Sequence, residues 1–210
     1  MFQIDQTSMH KFKHDDQSEY LIHLVGKTRP YEIFMRILSS GNIKAMNSFG
    51  FRKTEHQKKA ICFSEIPPIY LQKLVKRRYN HGIAFKKDFL LTKGAQRVWY
   101  IEKDSQAHNS LINLSNSFSG SKKDLFFNLT PFIDIPGKYG KSVYHFEWER
   151  EWRIVGDLSF TPKDVEFLIL PSDVHETARS FFYEAELDQV GPNYNCPYYD
   201  PLTDVYSKET

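Results

Sequence analysis

Only two cysteines occur in 210 residues, Cys62 and Cys196. That number excludes a disulfide-framed scaffold, and the absence of any C-x-x-C pair or H-E-x-x-H helix excludes the common zinc sites. His10 and His14 have i, i+4 spacing but no further ligands around them, so no metal site is expected. No apolar stretch approaches the eighteen or so uncharged residues needed to cross a bilayer. The polar start, Met1 to Asp16, lacks the basic-then-apolar pattern of a secretion signal. No glycine-rich phosphate loop of the G-x-G-x-x-G or G-x-x-x-x-G-K-[ST] type is present, nor a G-x-S-x-G nucleophile elbow. These absences fit a soluble chain in a reducing cytoplasm, with no membrane partner. Cys62 lies in the apolar run Ala60-Ile61-Cys62-Phe63 and reads as a buried small hydrophobe rather than a nucleophile.

What is present is enough for one core. Apolar residues make up 40%, and 17 Phe with 12 Tyr lean the composition toward strands. The net charge of +2 conceals a division. Residues 1–103 carry 19 Lys and Arg against 9 Asp and Glu, whereas residues 104–210 carry 9 against 17. The basic clusters include Lys76-Arg77-Arg78 and Lys86-Lys87, and a face of that sign can attract nucleic acid or a phosphorylated ligand. The alternative is a solvated helix end.

Read along the chain, Glu19–Val25 predicts a buried strand, followed by a helix over Pro30–Ser39 capped by Thr28 and stopped at Gly41. Residues 42–59 read as a loop. Ala60–Ser64 predicts a strand, and Pro67-Pro68 opens a helix with Leu71, Leu74 and Val75 on one face. Ile83–Phe85 and Val98–Ile101 read as strands, Ser105 to Asn116 as a helix capped by Asp104, and Phe126–Ile133 as an edge strand. Pro136 to Lys141 reads as a loop, Trp152–Val155 and Val165–Leu170 as strands, and Val174–Leu187 as a helix capped by Ser172. The expected organisation is a flexible segment over 1–18, one domain over 19–190, and an irregular tail over 191–210. The expected fold class is α+β, a single domain with a bent or split, mainly antiparallel sheet and flanking helices.

The densest chemistry lies in His145–Arg153. In an extended chain Glu147, Glu149 and Glu151 share one face and Trp148, Arg150 and Trp152 the other. That arrangement is either a solvent-facing edge or a carboxylate site with an aromatic wall. His23, in the apolar run Leu21–Val25, is either a hydrogen-bonded core residue or a strand-end ligand contact. Asp134, Glu147 and Glu149 could serve a metal nuclease, but no D…E-x-K pattern supports it.

Four segments in order resemble the AbiGi family of abortive phage-resistance proteins. They are Ala60–Pro67 (AICFSEIP), Tyr79–Lys87 (YNHGIAFKK), Gly94–Ile101 (GAQRVWYI) and the Glu149–Arg153 run (EREWR). The resemblance covers about residues 19–170. More distantly, the same order is similar to DarT-like ADP-ribosyltransferases, which implies an ADP-ribosyltransferase-like fold with NAD as cofactor. On that resemblance Glu151 would be the catalytic carboxylate, with Glu149 positioning an acceptor. His23 would hold a ribose, and Ser64 would brace the nicotinamide end. The chemistry is coherent, since a fixed carboxylate stabilises the positive charge that develops on ribose as nicotinamide leaves. Lys76, Arg77 and Arg78 would guide a nucleic-acid acceptor, a protein acceptor being the alternative. The family resemblance also implies a cognate toxin or antitoxin partner and a non-catalytic module as the other function.

Overall fold

The computed structural model describes residues 18–26, 28–51, 58–77, 79–139, 142–145 and 147–207. The expected flexible segment, apart from Ser18, lies outside these residues, as do His10, His14 and Arg78.

Strand β1 (Tyr20–Leu24) leads into helix α1 (Pro30–Ser40), short strands β2 (Asn42–Ile43) and β3 (Asn47–Ser48), and strand β4 (Lys59–Ser64). Helix α2 (Pro68–Arg77), strand β5 (Gly82–Lys86) and helix α3 (Lys87–Thr92) follow. The middle of the chain supplies β6 (Gln96–Arg97), β7 (Trp99–Tyr100), α4 (Gln106–Ser117), α5 (Ser121–Leu129) and β8 (Ile133–Asp134). Then come the hairpin strands β9 (Gly137–Tyr139) and β10 (Ser142–Tyr144), with β11 (Glu151–Val155) and β12 (Leu158–Ser159). Strand β13 (Val165–Ile169), helix α6 (His175–Leu187) and strands β14 (Tyr198–Asp200) and β15 (Val205–Ser207) complete the described elements.

The main sheet runs β15-β14-β13-β5-β1-β4-β11-β6, with β3 also on β4. Its pairings are antiparallel except β13 with β14. Strand β1 pairs with β5 at five residues from Tyr20 to Leu24, and β4 pairs with β11 at five from Glu151 to Val155. Between these halves β1 and β4 meet at one pair, Ile22 opposite Ser64. The sheet is therefore split, which agrees with the expected architecture: a mixed α+β domain with a mainly antiparallel sheet and, among the described residues, six helices.

Alternation along the strands divides the core. Leu21, Phe63, Phe85 and Ile154 face a cluster closed by Phe34 and Leu38 of α1 and Phe182 of α6. Ile22, Ala84 and Phe167 face the other way and meet Leu71, Leu74 and Val75 of α2. Each fully buried side chain of this size contributes roughly 1.5–3 kcal/mol. A third cluster, Phe51, Phe126 and Ile133, sits beside α4 and α5.

Several local expectations are corrected. Residues 126–129 are helical, not extended: α5 ends at Leu129 and a 3-10 turn over Thr130–Phe132 precedes β8. The aromatic pair there suggested a strand, but one turn of helix lets Phe126 fill the third cluster. Helix α1 begins after Arg29 in left-handed backbone (φ 46°) without a side-chain cap, so Thr28 is not its cap. Gly41 does end it, at φ 57°. Ser105, not Asp104, caps α4 by accepting the His108 backbone N–H at 3.2 Å. Ser172 opens a 3-10 turn, and Val174 precedes α6. The residues after Gly191, expected to be irregular, supply β14 and β15, because β13 leaves an edge that Leu168 and Ile169 pair with Tyr198 and Tyr199.

Candidate functional site

The split between β1 and β4 opens onto a cavity of about 1630 Å³ whose walls include His23, Cys62, Ser64, Glu149 and Glu151. Four of the residues singled out in the sequence (His23, Ser64, Glu149 and Glu151) therefore border one space. Register fixes how they do so. Glu151 is directly opposite Ser64 across β11 and β4, and Ser64 is opposite Ile22 across β4 and β1. Those three side chains share a face. Arg153 is opposite Cys62 in the next row of the same face. His23 is opposite Ile83 on β5 and belongs to the other face, its ring 5.8 Å from that of Phe63. The histidine and the glutamate thus reach the cavity from opposite sides of the pleat, which the interrupted ladder allows.

His23 Nδ1 lies 3.0 Å from the Cys62 carbonyl oxygen. A carbonyl only accepts, so Nδ1 carries the proton and Nε2 the lone pair. Burial lowers the His23 pKa, and the Cys62 hydrogen bond opposes this only in part. The neutral acceptor form is therefore the resting state at neutral pH. The Cys62 thiol is pushed well above its usual value, first by burial and then by Glu151, so it is not a thiolate nucleophile.

Glu151 is not a free carboxylate. Arg153, fully buried, donates Nε to Glu151 Oε1 and Nη2 to Oε2, both at 2.9 Å. The same guanidinium donates Nη1 to the Pro131 carbonyl at 2.6 Å and Nη2 to Asp134, and lies 4.9 Å over the Phe49 ring. Burial alone would lower the Arg153 pKa; the Glu151 and Asp134 carboxylates more than reverse that, and the group stays charged. This bidentate geometry gives both strength and direction.

The expected alternation of Glu147, Glu149 and Glu151 on one extended face does not occur. Residues Glu147–Glu149 form a 3-10 turn closed by the Arg150 N–H on the Glu147 carbonyl at 3.0 Å, and Arg150 adopts φ 46°. The strand begins only at Glu151. Glu149 is buried by that turn and reaches the cavity wall by another route, while Glu147 is half-exposed beside His145.

On the opposite face a second ion cluster, not foreseen from the sequence, locks β4 to β6 and β11. Glu65 is 1% exposed and accepts from Lys87 Nζ at 2.5 Å, from Trp152 Nε1 at 2.9 Å and from Arg97 Nη2 at 3.2 Å. Lys87 and Arg97 also lie 5.1 and 5.0 Å from the Trp152 ring. Lys76 is exposed on α2, Arg77 ends that helix, and Arg78 is outside the described residues. Lys76 does not line the cavity. No group of three or more His, Cys, Asp or Glu among the described residues is arranged to hold a metal ion. No described helix is long and apolar enough to cross a membrane.

A family model described as "Putative abortive phage resistance protein AbiGi, antitoxin" matches residues 40–186. No curated protein and no solved structure matches the chain.

Proposed function

Because the chain belongs to the AbiGi family, we propose that it is a phage-resistance antitoxin that acts by binding a cognate toxin rather than by catalysis. The observation that carries the second half of this reading is the Glu151–Arg153 pair. A carboxylate that stabilises an oxocarbenium-like transition state must present uncompensated negative charge to the reacting carbon. At 2.9 Å on both oxygens, Arg153 already holds Glu151, dividing its one positive charge between Glu151 and Asp134, and it is anchored by the Pro131 carbonyl as well. The arrangement is that of a structural tie beneath the cavity floor.

A second reading, NAD-dependent ADP-ribosyl transfer to a nucleic-acid or protein acceptor, draws support from one fact. His23, Ser64, Glu149 and Glu151 all line a single cavity, and its 1630 Å³ is roomy for a dinucleotide. For that chemistry Glu151 would have to leave Arg153, and the fit is better for holding a ligand than for cleaving one.

The experiment that separates the two is growth rescue. The chain is co-expressed with toxin candidates encoded beside it, as wild type and as Glu151→Gln and Glu149→Gln. Antitoxin action by binding predicts that rescue and co-purification of the same toxin persist in both variants. Rescue lost in Glu151→Gln, with folding intact and nicotinamide released from NAD by the wild type alone, would establish the catalytic reading instead.

A further inference from the structure

We infer that the free edge of the main sheet at β15, with the aromatic ladder that ends at Tyr206, is the docking surface for an extended basic segment of the cognate toxin. This surface deepens the antitoxin reading and rests on it.

The ladder follows from register. On the α2 side of the sheet Tyr20 of β1 meets Phe167 of β13 with ring centroids 4.9 Å apart, and Phe167 meets Tyr199 of β14 at 6.3 Å. Tyr199 then meets Tyr206 of β15 at 6.2 Å. These two tyrosines are directly opposite each other, so both rings project from one face. Helix α2 covers the inner end of that face, where Phe167 is buried in one cluster with Leu71, Leu74 and Val75. The outer end is uncovered, and Tyr206 is 50% exposed. Strand β15 is also the last of the sheet, with no described strand on its outer side. The backbone N–H and C=O groups of such an edge are a template for a further strand.

The uncovered end is acidic. Glu166 is exposed beside Phe167, and it lies close enough to Tyr20 and Tyr206 to add to the rise that burial gives both phenols. Asp204 accepts the Tyr199 hydroxyl at 2.9 Å. The nearest lysine in the register, Lys86, stands opposite Tyr20 on β5, the third strand in from β15, with its Nζ on the Lys163 carbonyl at 3.1 Å. Electron-rich ring faces beside carboxylates draw guanidinium and ammonium groups and repel phosphate. An added strand sends alternate side chains to one face, so the segment that fits carries Arg or Lys at every second position over the tyrosines. Strand β15 of a second copy, Val205–Ser207, carries no cation to meet these carboxylates.

The test titrates the full chain with the purified protein encoded by the adjacent gene, by calorimetry, with a single-stranded oligonucleotide as a second titrant. Tyr206→Ala and Glu166→Lys change exposed side chains, and thermal melts check the folding of each. Each should weaken toxin binding about tenfold or more, through a lost cation–ring contact in the first and like-charge repulsion in the second. Raised salt should weaken the wild type as well. Glu176→Lys, an equal change of charge at an exposed position of α6 on the other side of the sheet, should bind as the wild type does. Toxin binding that is unchanged in Glu166→Lys and Tyr206→Ala, or weakened as much by Glu176→Lys, overturns the docking surface and leaves antitoxin action standing. An oligonucleotide that binds the wild type but not Tyr206→Ala, with toxin binding untouched, would make the ladder a nucleic-acid platform instead. A dimer of the chain that is lost in Tyr206→Ala, with toxin binding untouched, would assign the edge to a second copy. If the wild type itself binds no neighbouring-gene protein, the antitoxin reading falls and this surface falls with it.

Discussion

Replacing Arg153 by Met is the perturbation with the largest consequence that the structure allows to be worked out. The side chain is fully buried, and Met approximates its length without its charge or donors. Its loss removes the guanidinium shared by two carboxylates, Glu151 at 11% and Asp134 at 17% side-chain exposure. It also leaves the Pro131 carbonyl without its 2.6 Å donor. Breaking a buried pair by removing one partner costs about 3–5 kcal/mol. For a domain of this length each kcal/mol moves the midpoint by roughly 2–4 °C, so the melt should fall by about 6–20 °C. Calorimetry or far-UV melts measure this directly. The triple variant Arg153→Met, Glu151→Gln, Asp134→Asn should recover much of the loss, because no uncompensated charge remains. A single variant that melts within about 2 °C of wild type, or a triple variant no better than the single, would refute the view of Arg153 as the tie between β11 and the β8 segment.

Glu65→Gln should lower stability by about 1.5–3 kcal/mol in urea, because Lys87 and Arg97 lose their shared carboxylate, and should change Trp152 fluorescence through its weakened 2.9 Å bond. Acidification should destabilise the fold from about pH 6.5 downward. His23 and His81 are both lowered by burial, so the unfolded chain binds more protons in that range and unfolding free energy falls as pH falls, by up to about 1.4 kcal/mol per pH unit for each histidine. Urea midpoints at pH 7.5 and 5.5 test this, and a flat profile would contradict it. Gly50→Ala should destabilise the region of β3 and β8, since Gly50 has φ +92° and an added Cβ would lie 2.0 Å from the Thr130 carbonyl oxygen. A melt unchanged from wild type would show that this turn can relax.

Much of the frame was legible in the sequence, for physical reasons that also explain the gaps. Apolar runs bounded by proline or glycine gave β1, β4, β5, β11 and β13, and Pro30, Gly41 and Pro68 marked helices α1 and α2. His23, Ser64 and Glu151 were brought together only by the resemblance to ADP-ribosyltransferases, and in the fold they line one cavity. Residues 126–132 were misleading because adjacent aromatics favour a strand locally, while the third cluster needed Phe126 on a helix. The two-residue strands carry no period to detect. The character of Glu151 was within reach: Glu151 and Arg153 are two apart on a strand and so share a face, which is a signal for pairing. Asn42 and Arg36 join the cavity only through contacts distant in sequence, and local pattern holds no trace of them. The ion cluster of Glu65, Lys87 and Arg97 is of the same kind.

The most direct test of the central claim, antitoxin action by binding without catalysis at Glu151, is growth rescue of the cognate toxin by Glu151→Gln beside wild type, with both proteins shown to be folded and equally abundant. The account predicts equal rescue and a co-purifying complex in both. Loss of rescue in Glu151→Gln, with the toxin still bound, would contradict it.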